Sequence, residues 1–363
     1  MKKELSQYLL LPLSGVYALI VCTRNKFFDW GILHSKEFNI PVISVGNLRV
    51  GGTGKTPHIE YLINLLKNEF RVAVLSRGYK RKTRGFLLAG DDADPARIGD
   101  EPCQMKRKFP DIIVAVDEKR RRGIAKLLSH DPAPDVILLD DAFQHRYVKA
   151  GMNILLDDFN NPMREDSLLP AGRLREPWME KKRANIILVT KTPASFRAID
   201  MRIRAKKTKL SDFQHLYYTK LRPGDVQPIF SGDFEKFKNS KPEILLISGI
   251  ANPRTVKPFA RKISTKIREI VFGDHHRYSI KDIERVKSSF SEMNPGNSIL
   301  LTTEKDAVKI REFEKELDSI SDRMFFIPVF VEFLNQDDEN FNTQIINYVR
   351  SNKRNSVLHK EQG

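Results

Sequence analysis

A glycine-rich loop that connects a short strand pattern to a helical pattern constrains the fold of this chain more than any other feature. Val42–Val45 reads as a buried β-strand, and the segment Gly46–Thr56 that follows it reads GNLRVGGTGKT. Pro57 and a helical pattern over His58–Lys67 come next. Strand, glycine-rich loop and helix in this order are typical of a phosphate-binding P-loop. The alternative is a glycine-rich turn before a helix that binds nothing.

The residue types of this loop predict how it binds a nucleotide. Glycines let backbone N–H groups turn toward phosphate oxygens, and the start of the helix adds positive potential. Lys55 is predicted to reach the β- and γ-phosphates, and Thr56 to bind Mg²⁺. Arg49 occupies the place where the strict pattern has its first glycine. The other predicted phosphate contacts are Gly51, Gly52, Thr53 and Gly54.

Apolar strand patterns alternate with helical patterns through the first half of the chain. Such alternation predicts an α/β fold with a mostly parallel sheet covered by helices on both faces. The further predicted strands are Val72–Leu75, Ile112–Val116, Val136–Leu139, Ile154–Leu156 and Ile186–Val189, with a helix at Arg120–Leu128. A second series predicts a smaller α/β domain from a strand at Ile244–Ile247, a helix near Pro253–Lys262 and a strand at Ser298–Leu301.

The length of 363 residues fits two domains better than one core. We place a membrane-associated helical segment at 1–40 and the P-loop domain at 41–225. A smaller α/β domain that closes the cleft is expected at 226–345, and a polar tail at 346–363. The boundary between the two domains lies near Asp225, within the segment Arg222–Pro228, which carries Pro and Gly.

The N-terminus and the net charge concern the partners of the chain. A formal charge of +16 suits nucleic acid, anionic lipid headgroups or phosphorylated substrates, and does not choose among them. Leu5–Cys22 is mostly apolar, with basic residues on both sides. We predict an interfacial helix in the cytoplasmic leaflet rather than a buried core helix or a single span. Two cysteines without metal-ligand spacing, Cys22 and Cys103, predict a reducing compartment.

A P-loop enzyme also needs carboxylates at a second strand end to organise Mg²⁺. The strand Val136–Leu139 runs into Asp140 and Asp141, and two polar residues, Gln144 and His145, follow at short spacing. A second strand ends in the acidic pair Asp157 and Asp158. Because of the two polar residues, we assign Mg²⁺ to Asp140 and Asp141, together with the hydroxyl of the loop threonine.

Eight segments in order along the chain resemble the tetraacyldisaccharide 4′-kinase family of Gram-negative bacteria. They are PVISVGNLRVGGTGKTP at 41–57, LSRGY at 75–79, GDEP at 99–102, DDAFQHR at 140–146, LPAGRLREP at 169–177, SGIANP at 248–253, FGDHHRY at 272–278 and LTTEKDAVK at 301–309. The resemblance implies ATP- and Mg²⁺-dependent transfer of the γ-phosphoryl group to the 4′-hydroxyl of an acylated glucosamine disaccharide 1-phosphate. It also implies a site between two domains at the cytoplasmic face of the inner membrane.

The resemblance implies roles for single residues. Asp100 in GDEP matches the acidic catalytic position and is expected to accept the hydroxyl proton, with His275 or His276 sharing that proton and His275 preferred. A helix N-cap is the alternative for Asp100. Arginine forks suit phosphate oxygens, and the substrate itself carries a 1-phosphate. The expected substrate contacts are Arg77, Arg120, Arg173, Gln144 and His145.

Two other function classes compete with a lipid kinase. The segment Val189-Thr-Lys191-Thr resembles a guanine-reading motif, but Pro193 stands where its aspartate belongs, which disfavours a GTPase. A kinase of another membrane-associated substrate keeps the same motifs. A non-enzymatic basic module, binding nucleic acid or membrane through Arg197–Lys209, explains the charge but leaves the P-loop unused. We therefore expect no nucleic-acid partner, and the oligomeric state is not predicted.

Overall fold

Two α/β sheets form the architecture of this chain. The structure is a computed structural model that describes the backbone of residues 8–250, 256–274 and 276–361, and the side chains of these ranges up to residue 352. The chain enters through helix α1 (Leu11–Asp29) and reaches the first sheet at β1.

The first sheet is built from most of the N-terminal two thirds of the chain. Its elements after α1 are β1 Val42–Asn47, α2 Lys55–Leu66, β2 Val72–Ser76, β3 Leu87–Leu88, α3 Pro95–Ile98, α4 Asp100–Lys108, β4 Ile113–Val116, α5 Arg120–Leu128, β5 Val136–Asp140, β6 Met152–Asp158, β7 Ile186–Thr190, α6 Ala198–Thr208 and β8 His215–Pro223. Short 3₁₀ helices lie at Met163–Glu165 and Trp178–Arg183.

The smaller sheet follows directly. Its elements are β9 Gln227–Pro228, α7 Glu235–Lys238, β10 Glu243–Ser248, α8 Lys257–Ile263, β11 Ile267–Val271, α9 Ile280–Ser291, β12 Ser298–Thr303, α10 Glu304–Ile310, α11 Glu314–Leu317 and β13 Met324–Ile327. Two 3₁₀ helices, Arg311–Phe313 and Asp318–Arg323, separate the last of these. The chain then returns to the first sheet with β14 Val329–Phe333 and α12 Asp338–Glu361.

The first sheet has nine strands in the order β14-β8-β7-β6-β1-β5-β2-β4-β3. The strands from β8 to β4 are parallel, and only the edge strands β14 and β3 pair antiparallel. Strands β1, β2 and β5 are buried along their whole length, as expected for a parallel sheet covered on both faces. Their carboxyl ends meet at one edge, where α/β proteins bind ligands.

The smaller sheet has five strands in the order β11-β10-β12-β13-β9, parallel except for β9. Both sheets confirm the predicted α/β fold class, and every predicted strand is present with boundaries that differ by at most a few residues. The predicted helix near 253–262 is found at Lys257–Ile263, and residues 253–255 lie outside the described part of the chain.

The C-terminal segment differs from the expected division of the chain. The sequence predicts that residues 226–345, which include β14, belong to the smaller domain and that residues 346–363 form a polar tail. Instead β14 pairs with β8 of the first sheet, and α12 buries Phe341, Ile345 and Val349 in the core of that sheet. These three residues follow a four-residue spacing, which forms one apolar stripe on the helix. The hydroxyl of Tyr348 donates to the carbonyl of Val42, 3.1 Å away.

Helix α1 packs one face on the 168–176 loop of the P-loop domain and exposes the other. The Ser14 hydroxyl donates to the carbonyl of Leu168 at 3.0 Å, and the Tyr17 hydroxyl donates to the carbonyl of Arg175 at 3.0 Å. The exposed large apolar residues around this helix include Leu9, Leu13, Val16, Leu19 and Ile20. Within the described ranges, no helix combines the length and the apolar character needed to cross a bilayer.

Charged side chains join the smaller sheet to the first. Lys108 on α4 contacts Glu60 on α2 at 2.7 Å and Glu304 on α10 at 2.9 Å. Lys305 on α10 contacts Glu101 on α4 at 3.2 Å. These contacts place the smaller sheet next to the carboxyl edge of the P-loop sheet, where the predicted site residues converge.

Candidate active site

The backbone of the predicted phosphate loop contains turns at glycine residues, as the sequence predicts. Gly54, immediately before α2, has φ 88°, and Gly51 has φ 120°, both in the region that favours glycine. A Cβ on Gly46 would lie 2.8 Å from Cβ of Phe143, so glycine is required where β1 passes the segment after β5. The Asn47 amide donates to the hydroxyl of buried Thr53 at 2.7 Å, which fixes the middle of the loop.

The structure explains why Arg49 replaces the first glycine of the motif. Arg49 forms an antiparallel bridge with Leu174, and the Val50 N–H donates to the carbonyl of Arg173 at 2.8 Å. The Arg49 guanidinium contacts the Asp166 carboxylate at 2.7 Å. The φ of Arg49 is not positive, so this position accepts a side chain, and the left-handed turns fall on Gly51 and Gly54.

Asp141 is the carboxylate nearest the loop lysine. Its Oδ1 lies 3.7 Å from Nζ of Lys55, and Arg175 donates to both carboxylate oxygens, at 3.1 and 2.8 Å. Burial by itself would raise the pKa of Asp141, but Lys55 and Arg175 lower it to about 2. Asp141 is therefore an anion at neutral pH.

Asp140 has the opposite electrostatic environment. Its side chain is buried, and burial, Glu101 and Asp141 raise its pKa to about 7. The Ser76 hydroxyl donates to its Oδ2 at 3.1 Å, while its Oδ1 has no hydrogen-bond partner among the described residues. A buried carboxylate oxygen without a donor fits a cation or a bound water.

Arg120 lies beneath the site rather than in the open cleft. It is 2% exposed, and its guanidinium donates to the carbonyls of Asp117 at 2.8 Å and Asp140 at 3.1 Å. Burial lowers its pKa to about 10, which leaves it charged at neutral pH. This position suits orientation of the end of β5 better than contact with a substrate.

Asp100 is the first residue of α4 and is partly buried. Gly99 precedes it with φ 95°, and the next residue, Glu101, contacts Lys305 of the smaller sheet at 3.2 Å. Burial would lower the pKa of Lys305, but Glu101, Asp274 and Asp100 together raise it. Both sheets therefore contribute charged groups around the predicted base, and Lys305 is a residue that the sequence did not single out.

The histidine pair is only half described. His275 lies outside the described residues. The ring of His276 is hydrogen-bonded to Asp282 at 3.1 Å and stacks on Phe272 with ring centroids 4.6 Å apart. His276 is thus engaged within the smaller sheet.

The remaining predicted substrate residues occupy different positions. The Gln144 amide donates to the carbonyl of Asn47 at 2.9 Å, beside the loop. His145 is partly buried, and burial followed by Arg120, Arg24 and Arg77 lowers its pKa to about 4, so its imidazole is neutral.

The two remaining predicted arginines, Arg77 and Arg173, have exposed side chains. In the LPAGRLREP loop, Arg175 and not Arg173 contacts the acidic site. The sequence offers no signal that distinguishes them, because only their positions in the folded loop differ.

The two carboxylates at the end of β6 form ion pairs with basic side chains. Asp157 contacts Arg204 of α6 at 3.1 Å, and Asp158 contacts Lys191 at 2.7 Å. No cluster of three or more His, Cys, Asp or Glu suitable for a metal occurs in the described part of the chain. Mg²⁺ in nucleotide sites is commonly held by one or two carboxylates plus phosphates, so Asp141, Asp140 and Thr56 fit that kind of site.

Comparison with known proteins agrees with this geometry. The family model described as tetraacyldisaccharide-1-P 4′-kinase matches residues 6–350. The chain belongs to this family. It is 47% identical over 356 residues to the tetraacyldisaccharide 4′-kinase of Phocaeicola vulgatus, covering 96% of both chains, and 47% identical to that of Bacteroides fragilis, covering 96% of this chain and 95% of the other.

A solved family structure has the same fold. LpxK from Aquifex aeolicus, crystallised in complex with ATP, superposes with a TM-score of 0.74 at 30% identity, covering 95% of this chain and 100% of that one. The family match spans both sheets and the segments that carry Lys55, Asp100 and Asp141. Membership in a kinase family excludes the non-enzymatic basic module as the main function of this chain.

Proposed function

We propose that this protein transfers the γ-phosphoryl group of ATP to the 4′-hydroxyl of a tetraacyldisaccharide 1-phosphate, a step in lipid A biosynthesis. One observation carries the proposal: in a chain of this family, Lys55 of the P-loop and Asp141 of a neighbouring strand end lie 3.7 Å apart at the carboxyl edge of a parallel sheet. This is the arrangement that holds a nucleotide's terminal phosphates and their metal ion.

The loop residues Gly51–Thr56 bind the phosphates of ATP in this proposal. The loop N–H groups other than that of Thr53, which donates to the carbonyl of Gly51 at 3.0 Å, neutralise charge on the β- and γ-phosphates together with the Lys55 ammonium. Thr56, Asp141 and Asp140 would hold Mg²⁺, which would supply charge neutralisation at the transferred group. The buried Oδ1 of Asp140, which has no hydrogen-bond partner among the described residues, supports this assignment.

Asp100 is the proposed base. The 4′-oxygen attacks the γ-phosphorus, the bond from that phosphorus to its bridging oxygen breaks, and the hydroxyl proton moves to the Asp100 carboxylate. His275 is proposed to share this proton. The hydrogen bond between His276 and Asp282 supports His275 over His276, because the ring of His276 already has a partner in the smaller domain. The Glu101–Lys305 contact supports a site that is complete only when both sheets are together.

The disaccharide phosphate needs cationic and hydrogen-bonding groups outside the nucleotide site. Exposed Arg77 and Arg173 are proposed to contact its phosphate or sugar oxygens, with Gln144 and the neutral His145 beside them. Arg120 is proposed to act indirectly, because it is buried and bonded to the carbonyl of Asp140.

The acyl chains of such a substrate reside in a membrane, and α1 offers the surface for it. Its exposed apolar face, with basic residues near both ends, suits an interfacial helix on the cytoplasmic face of the inner membrane. The opposite face contacts the loop that carries Arg175, so membrane binding would lie close to the site.

Phosphorylation of purified tetraacyldisaccharide 1-phosphate with Mg²⁺ and ATP tests the proposal. Wild-type protein is expected to form the bisphosphorylated lipid, and Lys55→Ala to form none while remaining folded. GTP in place of ATP is expected to support little turnover. Phosphate release without lipid product, or GTP preferred over ATP, would refute the proposal.

A further inference from the structure

The outward carbonyls of a phosphate loop need hydrogen-bond donors of their own. A loop that turns its N–H groups toward phosphates turns its carbonyl oxygens away from them, into the protein. Two such carbonyls, those of Gly52 and Thr53, receive donors from the end of β7. The Thr190 hydroxyl donates to the carbonyl of Thr53 at 2.9 Å, and the Lys191 ammonium donates to the carbonyl of Gly52.

Lys191 is held in place by a second contact. Its Nζ lies 2.7 Å from Oδ2 of Asp158, at the end of the neighbouring strand β6, and its side chain is only 15% exposed. Asp158 and Thr190 are register partners in the parallel pair of β6 and β7. The ion pair between Asp158 and Lys191 therefore lies at the ends of these two strands. Thr190 itself is fully buried.

The backbone of Lys191 is unusual as well. Its φ is 57°, a left-handed conformation that is uncommon for a residue with a side chain. Such conformations persist where the surrounding structure fixes them, and they concentrate at functional positions. Here the conformation turns the chain at the end of β7, and the side chain bridges the Asp158 carboxylate and the loop carbonyl.

We propose that Lys191, together with Thr190, is a positioning residue that fixes the outward carbonyls of the phosphate loop and so aims its N–H groups at ATP. This inference rests on the proposed ATP-dependent function. It gives a role to the Val189–Thr192 segment, whose sequence resembles a guanine-reading motif. The Lys191 ammonium acts through its hydrogen bond to the Gly52 carbonyl and does not contact the nucleotide base in this proposal.

A purely structural ion pair between Lys191 and Asp158 is the competing explanation, and it predicts a different result. Loss of a structural pair lowers the melting temperature without changing ATP affinity. Loss of a loop donor weakens ATP binding, because the loop no longer holds one orientation. The kcat for bound ATP falls less than the affinity does.

Full-length Lys191→Met and Lys191→Gly, compared with wild type, test the proposal by calorimetric ATP binding in Mg²⁺ and by thermal melting. Lys220→Met is the matched control, since Lys220 forms a 2.7 Å ion pair with Glu332 across β8 and β14 instead of bonding the loop. Both Lys191 variants are expected to raise the Kd for ATP about tenfold or more, whereas the control leaves it unchanged. Glycine accepts the left-handed backbone, so equal effects in both variants identify the ammonium as the cause.

Two results would overturn the inference: an unchanged Kd in Lys191→Met, or a Kd restored by Lys191→Gly. If Lys191→Met does not fold, Thr190→Val carries the same test, because it removes the other donor with little change of shape. An unchanged ATP affinity in that variant contradicts the proposal. The proposed function fails separately, when wild-type protein binds ATP but makes no lipid product.

Discussion

Arg175 holds both carboxylate oxygens of Asp141, with donor–acceptor distances of 3.1 and 2.8 Å. The same guanidinium donates to the carbonyl of Asn47 at the start of the phosphate loop. One side chain thus links the LPAGRLREP loop, the end of β5 and the end of β1. Nζ of Lys55 lies 3.7 Å from Oδ1 of Asp141, so two cations contact this carboxylate.

Arg175→Ala is therefore expected to reduce kcat by about a hundredfold, because it frees the carboxylate proposed to hold Mg²⁺. Arg175→Lys keeps the charge but loses the paired hydrogen bonds, and we expect only partial recovery. Arg173→Ala, two residues away and exposed, is the matched control and should raise the KM for the lipid with a smaller change in kcat. Steady-state assays that vary ATP and lipid separately measure this. Equal effects of the two alanine variants would contradict the assignment.

The proposed base and its partner are expected to affect turnover and not nucleotide binding. Asp100→Ala and His275→Ala should each lower kcat by two or more orders of magnitude, roughly the range of general-base contributions, with ATP affinity within about twofold of wild type. Asp92→Ala, at an exposed position before the same helices, is the control. A kcat close to wild type in either test variant removes that residue from the mechanism.

Asp140 is expected to lower the stability of the folded protein while supporting kinase activity. Its pKa rises from 3.8 in the unfolded chain to about 7 in the folded one, so the folded protein retains the proton over that range. Stability from this residue therefore falls as pH increases from about 4 to 7 and is constant above. In metal-free protein, Asp140→Asn should be more stable than wild type, by a margin that grows over this range.

Thermal melting of wild type and Asp140→Asn from pH 5 to 8 measures the margin. The pKa of His58 is lowered to about 4, mainly by burial, but it affects both proteins equally and cancels in the difference. The same Asn variant should lose most kinase activity, since an amide replaces the anion. A margin that shrinks with pH would contradict the prediction.

Arg49→Gly restores the strict motif but should not improve the enzyme. The change removes a largely buried ion pair with Asp166 and adds backbone freedom, so we expect a loss of about 1–3 kcal/mol in the free energy of unfolding. ATP affinity should stay the same or fall. Chemical denaturation and calorimetric ATP binding measure the two quantities. Tighter ATP binding in the glycine variant would show that Arg49 restrains the loop.

The two faces of α1 are expected to respond differently to substitution. Leu13→Glu and Ile20→Glu, on the exposed face, should reduce binding to vesicles of anionic phospholipid and raise the KM for the lipid substrate. ATP binding should be unchanged. Ser14→Ala, on the packed face, should instead lower the melting temperature, because it removes the contacts to the 168–171 loop. Wild-type vesicle binding by the glutamate variants would argue against the membrane role.

Local sequence determined the core of the first sheet and the identity of the phosphate loop. Continuous apolar segments bounded by glycine and acidic residues fix β1, β2, β5 and the P-loop, since each depends on neighbours in the chain. The pair Asp140 and Asp141 followed from its place at a strand end. The resemblance to a known family supplied Asp100.

Tertiary structure decided what depends on distant contacts. Arg173 and Arg175 have the same local chemistry, and only the fold brings Arg175 to Asp141. The sequence did not predict the buried apolar stripe of α12, which lies in a mostly polar segment. The strands that it packs against are far earlier in the chain. The pKa values of two adjacent aspartates shift in opposite directions. Burial raises that of Asp140, whereas two nearby cations lower that of Asp141. Sequence specifies the groups, whereas their distances, and hence their electrostatics, exist only in the folded chain.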